Sequence, residues 1–363
     1  MTQSSDTSLF VYVGSYTRTL PHVKGKGEGI YIFRMDRASG ALAPAGDVLG
    51  LSNPSYLAFD PTQRYLYTVD EIDQGNVSAF AVDPATGALT RLEQHVSSEG
   101  DVPCHLSVDP SGRWVLTANY TSGHVVSLPI RPDGSLGDAV EIVHHHGHSV
   151  HPDRQESAHA HWISVDPTGR YVLVADLGLD KVLVYHFDPE YGTLTPNDPP
   201  ACDLPPGSGP RHLVFHPSGR FAYVINELAS TLTTCAYDGE RGILHPLQTL
   251  STLPADFTGH STTSAIRIHP SGKFVYGSNR GHDSLAMFAV NDDGTLTPVG
   301  HTPTQGRNPR DFNIDPTGAF LIAGNQDTDT LVTFRIDTAT GQLTPTGAVT
   351  PVMTPVCIVF YPR

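Results

Sequence analysis

Asp60-Pro61-Thr62-Gln63-Arg64-Tyr65-Leu66-Tyr67-Thr68-Val69-Asp70 is the stretch on which the fold turns. An Asp-Pro opens it, a turn follows, and an alternating run ends on a carboxylate ten residues after the opening aspartate. The opening recurs as Asp109-Pro110, Asp166-Pro167, His216-Pro217, His269-Pro270, Asp315-Pro316 and Tyr361-Pro362, which makes seven copies 46 to 57 residues apart. A second marker, Gly-x-Leu, recurs independently at Gly40, Gly87, Gly134, Gly192, Gly242, Gly294 and Gly341. Fixed spacing of this size marks a repeat architecture. Between the markers, runs such as Val77-Ser78-Ala79-Phe80-Ala81-Val82 alternate with period two and end at turn residues, as strands do. No long stretch carries the 3.6-residue period of a helix. Roughly four strands in about 50 residues make the blade of a propeller. The pattern predicts an all-β chain, residues 1–363 forming a single seven-bladed β-propeller domain.

The two ends predict how the ring closes. Pro355-Val356-Cys357-Ile358-Val359-Phe360-Tyr361-Pro362 matches the first strand of a blade, and Phe10-Val11-Tyr12-Val13-Gly14 matches the second. The last blade is therefore completed by the N-terminal strands, which removes a free sheet edge.

Composition narrows the partners. With 22 Lys+Arg against 37 Asp+Glu the formal charge is −15, a balance that repels nucleic acid and anionic membranes. Hydrophobic content is 39% and mean hydropathy −0.18, and no apolar run approaches the roughly 18 residues of a membrane span. The opening residues Met1-Thr2-Gln3-Ser4-Ser5-Asp6-Thr7-Ser8 lack a basic n-region, which predicts a cytoplasmic protein. Cys104, Cys202, Cys235 and Cys357 are widely spaced with no CxxC, and read as buried free thiols rather than disulfides or a zinc site.

Aligning the repeats on the Asp-Pro marker converts the sequence into a channel. The first strand of each propeller blade lines the central channel, so residues entering that strand and residues just after the second strand surround one mouth. Five positions before the marker stand Ser55, Cys104, His161, Arg211, Ser264, Arg310 and Val356. Ten positions after it stand Asp70, Asn119, Asp176, Asn226, Asn279 and Asn325, followed in turn by Glu71, Tyr120, Leu177, Glu227, Arg280 and Gln326. The Asn/Asp series has a plain explanation, since such side chains cap turns. The residues that break the pattern do not. His161, Arg211, Glu227, Arg280 and Arg310 come from four successive blades yet map to one mouth, and long charged side chains converging in a narrow space mark a site.

The widest spacing holds a His-rich insertion at about 144–160, running from His144 to His161 with seven histidines in 18 residues. Its spacings fit no standard zinc arrangement, and no HExxH is present. His144 to His148 read as a solvated loop, while Arg154, His159 and His161 read as a lid over the mouth. Asp70, Glu71, Asp176 and Glu227 offer oxygen ligands that suit calcium, but arginines in the same mouth oppose a divalent cation, so no metal is favoured.

Several segments together resemble the propeller-type lactonase family, which includes bacterial 6-phosphogluconolactonases and carboxy-muconate cyclases. They are Val11–Thr17, Pro152-Asp153-Arg154-Gln155-Glu156 through His159-Ala160-His161, Gly209-Pro210-Arg211-His212, Asn226-Glu227-Leu228, Ser278–Ser284 and Asn308-Pro309-Arg310-Asp311-Phe312. The likeness covers essentially the whole chain. It implies a seven-bladed propeller with lactone-opening or lactone-forming activity and no organic cofactor, and His161, Arg211, Glu227 and Arg280 fall on the family's active-site positions. Trp162 follows His161 where a small residue is more usual, and its alternation pattern suits core packing.

The reading that results is hydrolysis of a small phosphorylated or carboxylated sugar-acid lactone. Arg211, Arg280 and Arg310 would grip the anion through their planar forks, with Arg154, His159, Asn279, Asn325 and Glu71 as further substrate contacts. Opening the ester needs a base for water and a donor for the oxyanion. Glu227 and His161 both qualify as the base. A carboxy-muconate-type cycloisomerase would use the same arginines, whereas a non-catalytic scaffold would not need a mouth that mixes acid, base and histidine.

Overall fold

The computed structural model describes residues 9–92 and 95–361. The polar stretch 1–8 and Pro362 of the seventh marker lie outside these residues. Seven antiparallel sheets follow one another, six of them with the chain's order of strands preserved from the inside outward. A typical blade is Pro210–Phe215, Phe221–Asn226, Thr231–Asp238 and Ile243–Ser251. Among the described residues no helix forms, so the all-β propeller holds.

Closure is as the termini predict. Pro355–Tyr361 pairs with Leu9–Ser15, Phe10 opposite Tyr361, and Gly29–Met35 and Leu42–Leu49 complete that blade. Both markers have a physical reason. In Asp60, Asp109, Asp166 and Asp315, Oδ1 accepts the amide of the residue five positions on, at 2.7 to 2.9 Å, and Oδ2 accepts the amide two positions on. One carboxylate thus pins the turn between the first two strands. His216 and His269 do this work with Nδ1, and their Nε2 donates to Gly272 O and Gly318 O of the next blade at 3.1 and 3.0 Å. The Gly-x-Leu glycine sits at a blade seam. At Gly341, with φ +77 to +75 typical of its kind at Gly40 and here, a Cβ would lie 2.4 Å from Phe274 Cδ1, while its carbonyl accepts the Tyr276 hydroxyl at 2.9 Å.

The core lies between blades. Trp162, Tyr171, Leu173 and Val224 form one buried cluster spanning two sheets, which gives Trp162 its packing role. Repetition of such clusters around the ring leaves the inner strands as the wall of a narrow channel.

Candidate active site

The channel-facing column arises from a repeated irregularity in the innermost strands. Four of these ladders skip one residue: Cys104 between Pro103 and His105, His161 between Ala160 and Trp162, Arg211 between Pro210 and His212, and Arg310 between Pro309 and Asp311. Val356 is skipped in the closing blade, and Ser264 with Ala265 in the sixth sheet along the chain. A bulged residue leaves the pleat and its side chain is re-aimed. These are the residues five positions before the marker. Ser55, Cys104, His161, Arg211, Arg310 and Val356 line one cavity together with Glu71, over a floor of Tyr56, His212 and Asp311. The cavity has room for about one water. Ser264 stands beside it, its carbonyl accepting Arg211 Nη1 at 3.0 Å and its hydroxyl donating to Arg310 O at 2.5 Å.

Three arginines converge on Glu227. Arg211 Nε donates to Oε2 at 2.9 Å, Arg280 Nη2 lies 2.9 Å from the same oxygen, and Arg154 Nη2 reaches Oε1 at 2.6 Å. Burial alone would raise the Glu227 pKa, but Arg280, Arg211 and Arg154 hold it well below the usual carboxylate range. Burial pushes Arg280 down to about 10, Arg211 and Arg310 adding to the fall and Glu227 opposing it. Arg280 Nη2 also donates to Thr263 O at 2.8 Å, while its buried Nε has no hydrogen-bond partner.

Next to this cluster sit three histidines that stay uncharged. His105, His161 and His212 are 2%, 5% and 4% exposed. Burial pushes each pKa well below the ordinary histidine value, with Arg211 adding to the fall at all three and Arg267 at His105 and His212. Tautomers follow from their partners. Arg211 Nη1 can only donate, so His212 Nε2, 3.1 Å away, accepts. His105 Nδ1 accepts the Ile163 amide at 3.3 Å. The rings of His161 and His212 meet edge to face at 5.3 Å.

Glu71 holds the opposite wall. It accepts the Tyr16 hydroxyl at 2.8 Å, and burial raises its pKa against the pull of Arg310. The Arg310 guanidinium lies 5.1 Å from the Tyr16 ring centroid, a cation–π contact. The Tyr16 hydroxyl also lies 3.3 Å from His22 Nε2. His22 sits at the turn of a small hairpin, Thr19–Leu20 with Val23–Lys24, and lines an open cleft of about 670 Å³ that Arg280 also lines.

The inserted loop delivers part of the predicted lid. Arg154 reaches Glu227 and lies 3.2 Å from the Tyr120 hydroxyl. His159 turns away from the cavity, its Nδ1 2.9 Å from Tyr120 O and its ring stacked on Tyr120 at 4.5 Å, so it supports Tyr120 instead. The solvated reading of His144 to His148 needs correction at one position. His145 is buried, 2.7 Å from Asp176 Oδ2 and stacked on Tyr185, whereas His144, His146 and His148 are exposed. The reason is Asp176, buried at the end of its strand and accepting the amides of His159, Gly178 and Leu179, which draws an imidazole to its second oxygen.

Asn279 and Asn325 are not brought to the cavity. Each turns into its own blade, Nδ2 donating to Thr252 O at 2.7 Å and to Thr304 O at 3.0 Å. These amides tie the loop after the fourth strand of one blade to the second strand of the next. The oxygen donors weighed for calcium are likewise dispersed: Asp176 on His145, Glu227 on three arginines, Glu71 on Tyr16. Among the described residues no group of three or more His, Cys, Asp or Glu is placed to hold a metal ion.

Sequence reasoning missed Tyr16, His22, Tyr56 and His212. A signal for two of them exists in the column four positions before the marker, where Tyr56, His105, His212 and Asp311 stand.

A propeller whose bulged column carries His161, Arg211 and Arg310 around one cavity can now be compared with known proteins. Residues 10–360 match the family described as Lactonase, 7-bladed beta-propeller. The chain belongs to that lactonase family. A 6-phosphogluconolactonase of Bacillus subtilis (strain 168) is 41% identical over 98% of this chain and 99% of its own length. A 6-phosphogluconolactonase of Formosa agariphila is 33% identical over 92% of this chain and 94% of its own. The solved structure of a periplasmic gluconolactonase from Pseudomonas aeruginosa is 36% identical, with a TM-score of 0.91 over 98% of this chain and 99% of that one.

Proposed function

We propose that the protein hydrolyses a phosphorylated sugar-acid lactone of the 6-phosphogluconolactone type, a step in carbohydrate metabolism. The observation that carries this is an uncharged, buried His161 on the wall of a water-sized cavity that Arg211 and Arg310 also line. Relatives named 6-phosphogluconolactonase support it.

His161 is the base in this reading. A water in the cavity gives it a proton as the water oxygen bonds to the lactone carbonyl carbon, and Arg280 faces the oxyanion that develops. The ring carbon–oxygen bond then breaks, the alkoxide takes the proton back from His161, and the open hydroxy acid leaves. Glu227 is a poor base, because both of its oxygens already hold guanidiniums. Its role is to position Arg154, Arg211 and Arg280. Arg211, spent on Glu227, Ser264 and His212, supports the site from behind, and Arg310 adds positive potential across the cavity. Glu71 orients the water from the opposite wall. With guanidiniums as the electrophile, this chemistry calls for no metal or organic cofactor. Four free buried thiols fit a reducing compartment and support a cytoplasmic location. The partner is a small anionic lactone, with no nucleic acid and no membrane, as the acidic surface favours.

The test is proton release followed at constant pH with 6-phosphogluconolactone as substrate, run in ¹⁸O-labelled water. Acceleration over spontaneous opening with one labelled oxygen in the product supports hydrolysis. Opening no faster than the spontaneous rate defeats it.

A further inference from the structure

We propose that the open cleft beside the Thr19–Lys24 hairpin is the subsite for the substrate's phosphate monoester, with Lys24 and Arg307 as its grips. The inference rests on the lactonase reading and adds where, and by which residues, the phosphorylated end is recognised.

The cleft inverts the charge of the molecule. Over the whole chain acids outnumber bases 37 to 22, yet the cleft is lined by Lys24, Lys26, Arg280 and Arg307 against Asp283 and Asp327. The chain has only four lysines, Lys24, Lys26, Lys181 and Lys273, and two of them meet here. An acidic protein concentrates scarce cations where an anion is to be held.

The charges are also unequally committed. Asp283 Oδ1 accepts the amides of Gly281 and Asn308 at 3.1 and 2.8 Å, and Asp327 Oδ1 accepts the side-chain amides of Asn308 and Gln326 at 3.2 and 3.0 Å. Both carboxylates therefore hold the rim together. Lys26 pairs with Asp329. Lys24 and Arg307 are exposed and make no ion pair among the described residues, and Arg280 carries its unpartnered buried Nε. A phosphate monoester carries about −1.5 to −2 charges at pH 7. It would meet one mobile ammonium and one planar fork that nothing else occupies.

Size separates the two spaces. The inner cavity takes about one water, whereas the cleft's 670 Å³ falls within the range of small-molecule sites, roughly 300 to 1,000 Å³. Arg280 lines the cleft and pairs with Glu227, so a ligand in the cleft lies against the catalytic cluster. The hairpin is fixed in place. Val23 packs with Tyr16 and Val356, Leu20 lies against them, and the Gly27 amide donates to Tyr16 O at 2.8 Å. Val356 is the bulged cavity residue of the closing blade, so one apolar contact sets both the cavity wall and the position of Lys24.

The experiment compares the full-length protein with Lys24→Ala, Arg307→Ala and the double variant, all exposed sites where folding is checked by melting temperature. Calorimetric titration uses 6-phosphogluconate, gluconate and inorganic phosphate as probes. Each substitution is expected to weaken 6-phosphogluconate binding roughly ten- to hundredfold, since a charge-assisted hydrogen bond is lost. Lys24→Arg, which keeps the charge, is expected to retain most of the affinity. In turnover, the ratio of kcat/KM for the phosphorylated over the unphosphorylated lactone should fall by the same factor. Equal affinity of wild type and double variant for 6-phosphogluconate overturns the subsite, as does an equal loss for gluconate. Binding that depends on Lys24 and Arg307 with no accelerated lactone opening would leave the phosphate site standing and sink the lactonase reading instead.

Discussion

Arg154 Nη2 lies 2.6 Å from Glu227 Oε1, joining a loop inserted before one blade to the mouth of the next across 73 residues of sequence. The contact ties the insertion to the buried arginine–carboxylate cluster and gives Glu227 its third guanidinium. The Arg154 side chain is 37% exposed, so its stability contribution is small, within about 1 kcal/mol. Arg154→Ala should therefore keep the wild-type melting temperature to within a few degrees, while kcat/KM falls roughly tenfold through a loosened Glu227. Steady-state kinetics beside a thermal melt checks both, and unchanged kinetics would remove the loop from the site.

Glu227→Gln has a different signature, because it leaves buried guanidiniums without their counter-charge. Breaking a buried pair by removing one partner costs about 3 to 5 kcal/mol. The pH dependence carries a sign. Glu227 has a folded pKa below its unfolded value of about 4.3, so its contribution is present above that pH and is lost as pH falls through it. Denaturant melts of wild type between pH 6 and 3 should steepen in the acid range, and the glutamine variant should lack that part of the slope.

His105, His161 and His212 act with the same sign in a higher pH window. Each is buried uncharged, so the unfolded chain binds a proton at each below about pH 6.5 that the folded chain does not. Stability is full above that pH and falls below it, by about 1.4 kcal/mol per pH unit for each histidine, about 4 for the three together. Melts at pH 7, 6 and 5 measure the slope. Replacing His105 by Gln should remove about a third of it, and a flat profile across this window would mean that the histidines are not excluded from protonation.

His161 also carries a catalytic prediction. A base already uncharged throughout the neutral range produces no loss of kcat/KM on going from pH 7.5 to 6, so the profile should lack a histidine break near pH 6.5. His161→Ala should lower kcat by about 10² to 10⁴. Glu71→Gln, which keeps a group to orient the water but removes its charge, should cost less than His161→Ala. The reverse order would assign the proton to Glu71.

Much of this was legible in the sequence, and the reason is repetition. Seven blades need the same turn chemistry, so Asp60, Asp109, Asp166 and Asp315 recur with their marker prolines, and His216 and His269 substitute where a ring can do the same work. Stacked repeats share a bulge at one register position, which is why a column of sequence became a ring of side chains from Cys104 to Val356. The hairpin bearing His22 and Lys24 was hidden, because it interrupts the split blade, where no repeat register applies. His145 was hidden within a run of histidines whose spacing says nothing about which one meets Asp176. The turn of Asn279 into its blade was also beyond the pattern, since a column fixes where a side chain starts and not which way its loop folds.

Asn279 shows the consequence. Its Nδ2 donates to Thr252 O at 2.7 Å and its Oδ1 accepts the Thr252 hydroxyl at 2.7 Å, with the residue fully buried and the Ser284 hydroxyl at 3.2 Å. Asn279→Ala removes these bonds, a loss of about 0.5 to 1.5 kcal/mol each, while the Thr252 carbonyl keeps His301 Nε2 at 2.9 Å and the hydroxyl keeps the Ser230 carbonyl at 2.9 Å. The neighbouring residue in the chain is Arg280, but the backbone between them is held by its own ladder, Asn279 opposite Ser284 and Thr263 opposite Asn279. The variant should melt several degrees lower while KM for the lactone changes less than twofold, on the order of 0.4 kcal/mol. A large rise in KM at unchanged stability would return Asn279 to the substrate site.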